Sequence, residues 1–203
     1  MAHIDYYFSF LSAWIYLSDG RLEKIAAKHG ATVTYKPFDL LTAFDRLGAP
    51  RPSERPEGRK IYRMQELKRF KAKSGLPMNL TPPFWPTNVA PASYALIAAQ
   101  EAVRKGSDGD LGKLVNSLSA AMWRDDKDIS EDAVITEALQ QAGFDPMLSM
   151  TGMLTGAELY PSNLEDAMTA GVFGSPFFIV TDTDERFWGQ DRLDMLDDYL
   201  GTL

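Results

Sequence analysis

The chain has 203 residues, 45% of them apolar, and a formal net charge of −7. That size allows one substantial core, and the acidic balance excludes a nucleic-acid backbone or an anionic membrane as the main partner. Cysteine is absent, which excludes disulfides, thiol nucleophiles and thiolate metal sites, so any thiol chemistry must use a borrowed thiol.

No charged-then-apolar leader opens the chain and no apolar stretch of about 18 residues occurs, so a soluble, cytoplasmic protein without a membrane partner is expected. Two histidines, His3 and His29, are too few for a histidine-rich metal cluster, and no metal site is expected.

Residues 3–10 read as an aromatic-rich strand. Residues 12–29 read as a helix with Leu22, Ile25 and Ala26 on its apolar face and Gly30 at its end. Ser12 falls where the strand delivers a side chain to the helix mouth, among the unpaired N–H groups of the first turn and at the positive end of the helix dipole. From position alone it is either an N-cap or an anion-binding hydroxyl, the cap being the commoner case. Ala31 to Phe38 reads as a second strand, with Val33 and Tyr35 alternating against Thr32, Thr34 and Lys36. Strand, helix and strand make a βαβ unit with parallel strands and a right-handed crossover.

The Pro- and charge-rich stretch 48–56 reads as an exposed loop. From 58 to about 171 no strand pattern appears. Helices are expected over 58–74, 89–105, 109–124, 130–142, 145–154 and 161–170, with Ser130 as an N-cap. Phe84-Trp85-Pro86 lies in a loop between the first two. The basic run Arg59-Lys60, Arg63, Lys68-Arg69, Lys71 and Lys73 reads as a solvated helix face, one cation for a substrate carboxylate being the lesser alternative.

Strands return at Pro176–Val180, followed by a turn at 181–184 and a partner strand at Glu185–Trp188. Gly189-Gln190-Asp191 leads into a last helix with Leu193, Leu196 and Leu200 on one face. The expected fold is α/β: a thioredoxin-like βαβ–ββα domain made of residues 1–57 and 172–203, with a large all-helical insertion at 58–171.

Three motifs, in this order and spacing, carry a resemblance: Phe8-x-Phe10-Leu11-Ser12-Ala13-Trp14, Phe173-Gly174-Ser175-Pro176, and Trp188-Gly189-Gln190-Asp191-Arg192. Together they resemble the 2-hydroxychromene-2-carboxylate isomerase family, which is related to kappa-class glutathione transferases within the DsbA-like thioredoxin superfamily. The resemblance implies glutathione as cofactor, with Ser12 as the catalytic residue that stabilises its thiolate. Ser12-Ala13-Trp14-Ile15 stands where redox relatives carry Cys-x-x-Cys, so disulfide exchange by the protein itself is impossible. Ser175, ahead of a cis Pro176, is implied to pair its main chain with the cysteinyl part of glutathione.

The helix start formed by Trp188, Gly189, Gln190 and Asp191 offers N–H groups to a carboxylate and the Asp191 side chain to an α-amino group; an ordinary acidic helix start explains the same residues. Phe84 and Trp85 are candidates to stack on an aromatic substrate, or else plug a gap between domains. Family members carry a lysine soon after the second strand and an asparagine in the next loop. Here Phe44, with Arg46 nearby, and Ser53 and Glu54 occupy those places and are taken as candidate substrate contacts.

The expected activity is glutathione-dependent isomerisation of a small aromatic acid, by an enzyme that is a homodimer like its relatives. The alternatives are a kappa-like transferase or peroxidase and a non-catalytic thioredoxin-like binding module.

Overall fold

In the computed structural model, which describes residues 1–203, the aromatic N-terminal run forms strand β1 (His3–Phe8). It pairs in parallel with β2 (Thr32–Pro37) and antiparallel with β3 (Phe177–Val180), and β3 turns back into β4 (Glu185–Trp188). The order β2-β1-β3-β4 puts β1 inside the sheet. Both faces of such a strand must be covered, which is why it reads as a near-continuous apolar run rather than an alternating one. Tyr6 stacks on Phe8 at 4.5 Å and on Phe178 at 5.0 Å, and these rings face a core of 37 buried residues. Tyr7 faces the opposite side, into a smaller cluster with Phe38, Phe44, Phe177 and Ile179. The larger core also takes in Leu96, Leu118 and Trp123 from the central helices.

The helix expected over 12–29 is broken in two, α1 (Ala13–Tyr16) and α2 (Arg21–His29). Asp19 and Gly20 adopt φ values of 46° and 65°, and two successive left-handed residues cannot continue a right-handed helix. The Ser18 hydroxyl donates back to the Trp14 carbonyl at 2.9 Å, and the Arg21 N–H restarts the ladder from the Ser18 carbonyl at 2.9 Å. A helix absent from the sequence reading, α3 (Leu40–Arg46), follows β2. Its N-cap is Asp39, whose carboxylate accepts from the N–H groups of Leu41 and Thr42 at 3.1 and 3.0 Å.

Four helices then match their expected spans: α4 (Glu57–Ser74), α5 (Ala90–Arg104), α6 (Leu111–Trp123) and α7 (Asp132–Gln141). Glu131, not Ser130, stands at the N-cap of α7, and its side chain makes no capping bond. The segments expected at 145–154 and 161–170 are instead a single turn, α8 (Leu148–Thr151), and a long helix, α9 (Met153–Thr169), with Pro161 inside it. Proline costs a helix a hydrogen bond; here packing outweighs that cost. A Cβ on Gly156 would lie 2.3 Å from the Tyr94 Cβ of α5, and the rings of Tyr94 and Tyr160 meet at 5.5 Å. The last helix, α10 (Leu193–Leu200), buries Leu193, Leu196 and Leu200 as their spacing predicts. No helix is long and apolar enough to cross a membrane.

One half-buried acid has a measurable consequence. Glu23 on α2 accepts from the Tyr35 hydroxyl at 2.9 Å and packs so closely on α6 that a Cβ at Gly112 would fall 2.4 Å from its Cγ. Burial pushes its carboxyl above the ordinary value of 4.5, because desolvation penalises the ionised form. The folded protein therefore holds this proton at pH values where the unfolded chain has released it. Stability from this group falls as pH rises from 4.5 through the folded value. Glu23→Gln keeps an acceptor for Tyr35 and cannot ionise. Its Tm should exceed the wild type's near neutral pH, and the gain should vanish below the ordinary carboxylate range; an equal gain at acid pH would contradict this account.

Candidate functional site

The loop Ser9–Ser12 carries the chain from β1 into α1, and two indoles fix its carbonyls. The Trp123 Nε1–H donates to the Phe10 carbonyl at 3.2 Å and the Trp85 Nε1–H to the Leu11 carbonyl at 2.9 Å. The Ser9 N–H donates to Ser175 Oγ at 2.9 Å, and the Ser12 N–H to the Ser9 carbonyl at 2.9 Å. Held in this way, the Ser12 hydroxyl donates to the Ser175 carbonyl at 2.9 Å, with each serine 7% exposed. Ser12 stands at the N-cap position in extended conformation, yet its side chain makes no capping bond. The simple cap reading is therefore not what the hydroxyl does. With α1 only four residues long, little macrodipole builds up behind Ser12, so the expected help from the helix dipole shrinks and the hydroxyl matters more.

The Ser175–Pro176 peptide is cis, as is Trp85–Pro86. The Ser175 N–H meets no backbone acceptor, and its carbonyl takes only the Ser12 hydroxyl. The Ser175 N–H is thus left without a protein partner beside Ser12. The Pro176 carbonyl accepts from the Gly189 N–H at 3.0 Å, which draws residues 188–191 to the same place. Gln190, 4% exposed, is tied to α2: Arg21 donates to its main-chain and side-chain carbonyls at 3.2 and 3.4 Å and pairs with Asp194 at 2.6 Å. Trp188 leans over Gly174, where a Cβ would come within 2.3 Å of its Nε1, and its ring lies 4.9 Å from that of Phe173. Glycine is the residue that permits that approach.

Asp191 sits on a one-turn 3-10 helix (Gln190–Arg192), pairs with Arg192 at 3.0 Å and remains exposed. The N-cap of α10 is Arg192, so capping does not account for Asp191. Ala13 is fully buried beneath the loop, and Trp14 packs edge-on against Phe70 of α4 at 5.6 Å.

The residues singled out as substrate contacts separate into groups. Trp85 is half-buried and bonded to the residue before Ser12; Phe84 beside it is exposed. Phe44 is buried in the smaller core, 7% exposed, with the Arg55 guanidinium over its ring, so it offers no open face. Glu54 accepts from the Arg51 N–H at 3.0 Å and closes the short turn Pro52–Glu54, which leaves Ser53 exposed at its crest. Two nearby cations are committed elsewhere. Arg46 pairs with both oxygens of Glu165 at 2.5 and 2.9 Å, and Lys36 lies 3.1 Å from Asp5 and 3.1 Å from Asp166. Burial alone would lower the Lys36 pKa, but the two carboxylates raise it on balance. Trp123 is the site residue that the sequence reading missed, since a tryptophan on the apolar face of a helix reads simply as core.

Residues 3–201 match the family of DsbA-like thioredoxin domains. A 2-hydroxychromene-2-carboxylate isomerase of Pseudomonas putida is 30% identical over 98% of this chain and 95% of its own length. A solved structure of 2-hydroxychromene-2-carboxylate isomerase superposes with a TM-score of 0.79 over 98% of this chain and 95% of that one, at 24% identity. The cytosolic disulfide reductase DsbM from Pseudomonas aeruginosa, solved with GSH, superposes with a TM-score of 0.69 over 98% and 96% of the two chains, at 17% identity. These two superpositions establish likeness of fold.

Proposed function

The chain belongs to the family of DsbA-like thioredoxin domains and, within it, to the 2-hydroxychromene-2-carboxylate isomerases, and we propose that it is a glutathione-dependent isomerase of aromatic acids of that type. The observation that carries the reading is the Ser12 hydroxyl on the carbonyl of Ser175, whose own N–H lacks a backbone partner, in a chain without cysteine. A peptide laid along Ser175 bonds to both of its main-chain groups as an added strand does. When the cysteinyl N–H of glutathione takes the Ser175 carbonyl, the Ser12 hydroxyl is released to turn toward the sulfur. A thiolate accepting that O–H bond is favoured over the thiol, because hydrogen bonding to the charged form lowers its pKa. Asp191, exposed and without a capping role, is suited to hold the α-amino group of the same peptide. That GSH accompanies a structure of the same fold supports the choice of thiol.

Bound along Ser175, glutathione would supply a reversible thiol nucleophile for the conjugated system of the hydroxychromene acid, which leads to a trans benzylidenepyruvate-type product. Ser12 would hold its sulfur as thiolate, Ser175 its main chain and Asp191 its α-amino group. Atoms are conserved, nothing is oxidised, and glutathione returns unchanged. The protein supplies position and a hydrogen bond to sulfur.

The test is conversion of the chromene acid with glutathione present and absent, beside a halonitrobenzene and an organic hydroperoxide. Glutathione-dependent turnover of the chromene acid is the expected result. Turnover of the other two electrophiles alone would make the protein a kappa-like transferase or peroxidase. No turnover, with no rise in Tm on adding glutathione, would make it a binding module; a ligand at 100 times its Kd should add about 2.7 kcal/mol.

A further inference from the structure

We propose that Arg63, with Arg55 beside it, forms a carboxylate subsite at the mouth of the Ser12 site and anchors the acid group of the aromatic substrate there. The identity of that substrate rests on the isomerase reading above; the subsite itself does not.

Every arginine outside the stretch 55–63 is ion-paired with a carboxylate. Arg55, Arg59 and Arg63 have no acidic partner, in a chain whose acids outnumber its bases enough to leave a net charge of −7. Arg55 and Arg63 are not freely solvated either, since both are half-buried. The Arg63 guanidinium lies 5.4 Å from the centre of the Trp85 ring and that of Arg55 lies 5.3 Å from the centre of the Phe44 ring. Burial first, and then the neighbouring positive charge, lower the pKa of each: Arg55 acts on Arg63, and Arg59 on Arg55. Like charges held close and partly out of water are unfavourable until an anion joins them. A guanidinium set over an aromatic ring can still turn N–H groups to a carboxylate in the fork geometry that matches it. Arg63 makes no other hydrogen bond, and Arg55 spends only its Nε–H, on the Pro50 carbonyl at 3.4 Å.

Position makes this more than a basic patch. Trp85, on which Arg63 lies, donates its indole N–H to the Leu11 carbonyl, one residue before Ser12. Arg63 therefore stands one indole away from the reactive serine. The two other cations near β2 and α3, Lys36 and Arg46, are spent on carboxylates of α9 and β1. Glutathione carries carboxylates too, so the experiment must separate the two sources.

The experiment compares the wild type with Arg63→Met, Arg63→Lys and Arg55→Met, each in saturating glutathione. Binding of naphthoate and of its uncharged methyl ester is read by calorimetry, and kcat and KM are measured for the chromene acid. Methionine preserves contact with Trp85 and removes the charge. Arg63→Met should weaken naphthoate binding about 10- to 100-fold, the range expected on loss of a charge-assisted bond. The ester and glutathione should be affected far less, so that the preference for acid over ester collapses. KM for the chromene acid should rise by more than kcat falls, Arg63→Lys should recover part of the loss, and Arg55→Met should show a smaller effect in the same direction.

Equal losses for acid and ester would mean that Arg63 only packs, and a loss falling on glutathione would assign the arginines to its carboxylates; either overturns the proposal. If naphthoate binding depends on Arg63 but the wild type does not turn over the chromene acid, the subsite stands and the isomerase reading falls. If the chromene acid is turned over equally well without the Arg63 charge, the isomerase reading stands and the subsite falls.

Discussion

Ser12→Ala should leave a folded protein whose glutathione-dependent turnover is lower by about a hundred- to a thousandfold, the usual cost of removing one donor aimed at developing or resident negative charge. Its hydroxyl is the only side-chain donor bonded to the Ser175 carbonyl, so no neighbour replaces it when a thiolate is bound. The stability cost should be small by comparison. One buried hydrogen bond is lost and the Ser175 carbonyl is left to find water or ligand, about 1 kcal/mol. The two effects separate cleanly: a Tm shift of a few degrees beside a large fall in kcat/KM. A variant that turned over like the wild type would remove Ser12 from the chemistry. A variant that failed to fold would make the serine a structural residue whose bond to Ser175 closes the sheet.

Trp123→Ala should be the most destabilising single change at the site. The side chain is 1% exposed, packs against Trp85 with ring centres 6.1 Å apart, and satisfies the Phe10 carbonyl. Removing a buried aromatic of this kind costs about 3–5 kcal/mol, which for a chain of this length lowers Tm by about 10 °C. Trp123→Phe isolates the hydrogen bond, because it keeps most of the ring and leaves the Phe10 carbonyl unpaired, at about 1–3 kcal/mol. Trp85→Phe does the same for Leu11. If the two indoles hold the loop that presents Ser12, both phenylalanine variants should lose activity at temperatures where they remain fully folded. Full activity in both would mean that Ser12 is positioned from the Ser175 side alone.

The strands, the hairpin and most helices were legible in the sequence because their periods and caps are local. Tyr6 to Phe8 marked a strand buried on both faces, although β1 stops at Phe8 and the expected span to residue 10 runs into the loop, and Leu193, Leu196 and Leu200 marked one stripe of α10. Failures came where a local signal lost to another term. Gly20 was visible, but the left-handed Asp19 before it, which completes the break, was not. Pro161 argued for a helix end, and the close packing of Gly156 on Tyr94 overruled it. Asp39 ahead of two leucines is a helix-start signal that the short span of α3 concealed.

At the site, the family resemblance implied that Ser12, Ser175-Pro176 and Gly189 would meet, and the structure bonds Ser12 to Ser175 and Gly189 to Pro176. The roles of the tryptophans and arginines were not legible. A tryptophan on an apolar helix face looks the same whether it merely fills space or holds a loop carbonyl. Arg59 and Arg63, four residues apart, share one face of α4, but sequence does not say which arginine finds a carboxylate. Lys68, Arg69 and Lys73 do make the solvated face that the pattern suggests. Arg63 turns toward Trp85 instead.

The central claim is that the Ser12–Ser175 edge holds glutathione as a thiolate. It is tested most directly by titrating the ultraviolet thiolate absorbance of glutathione bound to the wild type and to Ser12→Ala. The account predicts that the bound thiol ionises at clearly lower pH than free glutathione, and that Ser12→Ala moves it back toward the free value. Identical titration curves for free glutathione, wild-type complex and Ser12→Ala complex would contradict it.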